Sequence, residues 1–122
     1  MADRLRSGKS RIDSLEAEIA RGRRRVAVHR AHLDSLEDRI AAFERRAVGG
    51  RLPRPQHRAY LRVIEQQNRA SEAHNAALAE VQSTYDDYTA LIRAHNALVD
   101  SANQLRRAAA EEGIRLEDRG LR

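Results

Sequence analysis

The chain contains no cysteine and no tryptophan, only two prolines, six glycines and four aromatic residues in 122. Without cysteine there is no disulfide scaffold, no thiolate zinc site and no thiol nucleophile. With so few Gly and Pro, the many tight turns of an all-β fold cannot be supplied. Phe43, Tyr60, Tyr85 and Tyr88 are all the aromatics present, too few for a thick globular core. No apolar run approaches the 18 or so residues that span a bilayer. The first thirty residues alternate charged and aliphatic side chains without an apolar block, which argues against a secretory signal and for a cytoplasmic location. The length suits one domain.

Charge is abundant, at 34% of residues with a net of +5, and it is unevenly spread. Residues 1–62 hold sixteen Lys or Arg against eight Asp or Glu, and residues 63–122 hold seven against ten. The basic half can attract the acidic half or an external polyanion. Arg outnumbers Lys, of which Lys9 is the only example. Such a bias commonly reflects genome composition as much as a need for bidentate contacts.

A strict seven-residue repeat runs over residues 5–47. Its a line reads Leu5, Ile12, Ile19, Val26, Leu33, Ile40 and Ala47, and its d line Gly8, Leu15, Gly22, His29, Leu36 and Phe43. A straight helix drifts about 20° per heptad, so a register held this long implies supercoiling against a partner helix. The start is set either by Asp3 or by the Ser10/Asp13 pair, which resembles a capping box. Arg45 and Arg46 suit the negative end of the helix dipole, and Gly49-Gly50 supply a left-handed stop. Over residues 3–47 such a helix is roughly 67 Å long.

Two glycines and two prolines in the segment 49–55 break the pattern, and a connection this short joins antiparallel neighbours. The second repeat then runs without Gly or Pro to Gly113, which predicts a helix over about 56–111, roughly 84 Å long. Its a line is Ile64, Ser71, Leu78, Tyr85, Ile92 and Val99. Its d line is Tyr60, Gln67, His74, Val81, Tyr88, His95, Ala102 and Ala109. In this frame all four aromatic rings fall on the seam, where packing keeps them from stacking on bases. Facing residues would have numbers that add to 107, placing Phe43 against Ile64 and Gly22 against Tyr85. A register one heptad shorter, adding to 100, also keeps a facing d.

The expected architecture is therefore all-α: a long antiparallel coiled-coil helical hairpin of two long helices, associating into a larger helical bundle. Helix one covers about 3–48, the turn 49–55, helix two about 56–111 and a flexible tail 112–122. Leu91, Leu98 and Leu105 lie at g, widening the apolar stripe beyond one seam, and helices apolar over a, d and g commonly meet two neighbours. The opposing Arg4, Arg11, Arg25, Arg39 and Arg46 look poorly suited to cover them. A row of amides, Asn68, Asn75, Gln82, Asn96 and Asn103, runs along e, where Asn can fix register. The predicted protein-interaction surface is Leu91, Leu98 and Leu105 with Asn96 and Asn103, serving a homo-oligomer or a helical protein partner.

No catalytic constellation emerges. His29 and His32 share a helix side, but no Glu stands three residues before any His and no HExxH occurs, so no metal site is expected. Asp86-Asp87 and Glu111-Glu112 are adjacent pairs that point apart on a helix. There is no phosphate-binding glycine loop, no nucleophile elbow and no dinucleotide fingerprint. The expectation is a non-enzymatic assembly or adaptor protein with no cofactor, no membrane span and no small-molecule substrate. The alternative is a basic arm holding nucleic acid through Arg21, Arg23, Arg24, Arg25 and Arg30, or through Arg45, Arg46, Arg51, Arg54 and Arg58 around the turn.

Overall fold

The structure, a computed structural model, describes the backbone of residues 1–120 and the side chains of residues 1–113. It is an all-α helical hairpin: α1 spans Ala2–Arg46 and α2 spans Arg54–Gly120. The earlier of the two candidate starts holds, with Asp3 in the first turn of α1. α2 runs past residue 111, where the sequence places its end. A lone Gly113 costs a helix only about 1 kcal/mol, and the next proline-free stretch continues it. Residues 121–122 lie outside the described residues.

The turn forms as its residues dictate. Ala47 N–H donates to the Phe43 and Glu44 carbonyls at 3.2 and 3.3 Å, closing α1 with a shared bond. Gly49 and Gly50 take φ values of 62° and 74°, which side chains with a Cβ rarely adopt. Val48 and Arg51 then exchange backbone bonds of 2.9 and 3.1 Å across the glycine pair. Pro53 accepts from His57 N–H at 2.8 Å and so starts α2, with Pro55 in its first turn.

Contacts between the helices fall into two units: Glu18–Thr84, and Met1–Ala17 with Tyr85 onward. In the unit Glu18–Thr84 the core gathers Leu33, Leu36, Ile40, Val63 and Ala70, with Phe43, Tyr60 and Ile64 packed against it. Leu36 and Val63 are its most deeply buried side chains, each 2% exposed. Phe43 and Tyr60 meet edge-on with ring centroids 5.9 Å apart. A Cβ added at Gly22 would lie 2.6 Å from Val81 Cγ2, so the glycine is what admits the valine.

In the other unit, Ile12 and Ala102 are buried. A Cβ at Gly8 would lie 2.8 Å from His95 Nδ1. Tyr88 donates its hydroxyl to Glu16 Oε1 at 3.0 Å.

These pairs correct the expected register. Phe43 with Tyr60, Gly22 with Val81 and Gly8 with His95 all have numbers that add to 103, one helical turn away from 107 and different from 100. The frame of α2 moves with it. Its buried residues Val63, Ala70 and Ala77 stand at g of the sequence frame, so the interior of α2 is d and g, while Leu78 and Tyr85 on the a line are exposed. The physical reason lies in side-chain size. In α1 Val26 and Leu33 stand seven positions apart, and in this register they come level with Ala77 and Ala70. At these two levels large meets small, as a tight seam requires. Ser71 at a would have put a hydroxyl in that interior.

Candidate interaction surfaces

Heptad position decides which side chains are left for other molecules, and the shifted frame of α2 changes that allotment. In the unit containing the first residues of α1, Leu91 and Leu98 are half-buried. Leu91 lines a groove together with Ser10, Arg11, Ser14 and Leu15 of α1, and Leu98 lines one with Asp3, Arg4, Ser7, Gly8 and Arg11. Arg11, expected to leave these leucines uncovered, shares both grooves with them, and a long arginine stem can lie along apolar surface with its head in water. Leu105 is different: it is 60% exposed.

The next position along the chain carries a second apolar line, as half-buried at Ile92 and Val99 as the first is at Leu91 and Leu98. Tyr85 is 48% exposed, and Ile92 and Val99 follow at seven-residue intervals, both half-buried. Tyr85 packs its ring against Tyr88, centroids 6.2 Å apart. Its backbone carbonyl accepts from Thr89 Oγ1 at 3.0 Å. The expectation that every aromatic ring is held in the seam therefore fails for Tyr85. Of the amide row, Asn68, Asn75 and Asn96 are exposed and Asn103 is half-buried.

The Tyr88 hydroxyl is held above its ordinary pKa, chiefly by its hydrogen bond to Glu16, then by burial and the negative charge of that carboxylate. A phenolate there would lose the bond and face a like charge. The His95 Nδ1 is buried against Gly8 with no hydrogen-bond partner.

In the unit Glu18–Thr84, Arg21, Arg23, Arg24 and Arg25 are all exposed. Arg21, Arg24 and Arg25 line one shallow groove with Val28 and His29. On its other side this cluster borders acid. Arg21 and Arg25 line a second groove with Glu18 and Glu80, and Arg25 stands 3.9 Å from the Glu80 carboxylate. Arg30 pairs with Asp34 at 3.3 Å within α1.

Arginine is denser still around the turn. Arg45, Arg46, Arg51, Arg54, Arg58 and Arg62 are all exposed, and no Asp or Glu occurs between Glu44 and Glu65. The ion pairs of Arg25 with Glu80, Arg30 with Asp34 and Arg69 with Glu65 lie outside this group. The guanidinium of Arg46 stands 6.0 Å over the Phe43 ring. Sequence reading located five of these arginines. The acid nearest them is Glu44, which lines a groove at the turn with Gly50, Leu52, His57 and Tyr60.

Among the described residues no group of three His, Asp or Glu side chains is arranged to hold a metal ion. No helix there is long and apolar enough to cross a membrane. No family model, curated protein or solved structure matches the chain.

Proposed function

We propose that this protein is a non-enzymatic coiled-coil assembly module that associates with further copies of itself through α2. The observation that carries this reading is the apolar line on α2 outside its d and g interior, where Tyr85 is 48% exposed. A small chain with a single seam has little apolar burial of its own, and packing with further helices supplies it.

The face that supports association is Tyr85, Ile92 and Val99. These residues carry apolar area that α1 leaves partly open, and the heptad interval keeps them on one side of the helix. Leu98 and Asn103, both half-buried, border this face, and Asn96 lies exposed beside it.

Replacing Tyr85, Ile92 and Val99 together with Ser tests the reading. Sedimentation should show the wild-type chain as a dimer or larger and the variant as a monomer, with helical circular dichroism retained in both. A variant that keeps the wild-type mass would remove this face from consideration.

A further inference from the structure

The turn end of the Glu18–Thr84 unit gathers six arginines against a single nearby acid, Glu44, which lines the groove there with Gly50 and His57. Six exposed arginines converge there from both helices and the connection: Arg45 and Arg46 from the last turn of α1, Arg51 from the turn, and Arg54, Arg58 and Arg62 from the start of α2. The bridge between Val48 and Arg51 and the edge contact between Phe43 and Tyr60 hold these segments side by side. Like charges so close destabilise one another. Arg54 and Arg58 also sit at the helix end where acids are favoured, and the first turn of α2 contains no acid. This arrangement opposes folding to a degree that solvent and salt moderate, and a bound polyanion would relieve it.

We propose that this end grips the phosphate backbone of a nucleic acid without reading its sequence. Guanidinium forks match phosphate oxygens in pairs, and arginines contributed by two helices and a loop span more than one phosphate. Phe43 and Tyr60, the rings nearest these arginines, are packed against each other, which leaves the backbone and not the bases as the recognised element. An anionic bilayer is the poorer fit. Surface helices bury a broad apolar face, whereas here the exposed apolar residues are Val48 in the turn and Leu61 on α2, with Leu52 half-buried. Of the two arginine clusters, the one at residues 21–25 is the lesser candidate, because Glu18 and Glu80 already border it.

The test is fluorescence anisotropy with a labelled 20-base-pair DNA duplex and a second duplex of scrambled sequence. The account expects equal binding to both at 50 mM NaCl. If about four phosphates are engaged, affinity should fall roughly a hundredfold by 200 mM. Changing Arg51, Arg54 and Arg58 together to Gln should weaken binding at least tenfold, and Arg51→Gln alone should lower the salt slope by about one. Changing Arg21, Arg23 and Arg24 to Gln should alter affinity less than threefold. Absence of binding at 50 mM, insensitivity to salt, or an equal loss in the two triple variants would overturn the proposal. Tighter binding to phosphatidylserine vesicles or to polyglutamate than to the duplex would overturn it as well. The association face lies on Tyr85, Ile92 and Val99, so the mass of the assembly and the duplex affinity can fail separately.

Discussion

Gly22 shows how one residue can serve a seam. As a helix-interior glycine it costs about 1 kcal/mol in propensity relative to alanine, so Gly22→Ala would stabilise an exposed helix. Here the new Cβ would stand 2.6 Å from Val81 Cγ2, and valine is stiff about its first side-chain torsion. Gly22→Ala is expected to lower unfolding stability by about 1–2 kcal/mol, measured by urea denaturation. Adding Val81→Ala should recover most of that loss, and a double-mutant cycle would report the coupling.

Tyr88 makes a separate residue-scale prediction. Its pKa is raised in the folded chain, so between the unfolded and folded values the native state holds a proton that the unfolded state has released. Stability from this group is therefore full below the unfolded tyrosine value and declines as pH rises through the folded value. Ultraviolet titration should show one tyrosine ionising late. Glu16→Gln should bring that transition down, and Tyr88→Phe should abolish it.

At the scale of the helix, α1 was legible almost position by position. Every a and d residue from Leu5 to Phe43 is buried or half-buried, because one apolar line flanked by charge admits one orientation. α2 was not, because its apolar stripe is wider. Its a, d and g lines all carry apolar residues, and sequence spacing alone does not say which two face inward. The alanines decided it: Ala70 and Ala77 are unremarkable in sequence, yet only side chains this small fit level with Leu33 and Val26. The late leucines drew attention by their size, although Leu91 and Leu98 continue the same line as those alanines. The turn was legible from Gly49-Gly50 and the prolines, since few other residues adopt those φ values.

A paired substitution separates the two frames. Ala70→Leu should cost about 1–3 kcal/mol by overpacking the interior, while Leu78→Ser, on the exposed line, should stay within about 0.5 kcal/mol of wild type. The frame read from sequence alone would give the opposite order. Thermal or urea melts of the two variants would show which holds.

For the whole molecule, the apolar residues Tyr85, Ile92 and Val99, at heptad intervals outside the d and g interior of α2, are the ground for the proposed association with other helices. Charge and apolar area are also assigned to different residues, Arg51, Arg54 and Arg58 at the turn and Tyr85, Ile92 and Val99 on α2. Salt should therefore weaken polyanion binding and leave self-association nearly unchanged. The measurement that tests this most directly is absolute mass by light scattering behind a sizing column, at 50 mM and 500 mM NaCl. The account predicts a mass of two or more chains at both salt concentrations. A helical monomer at either one, at tens of micromolar protein, would contradict it.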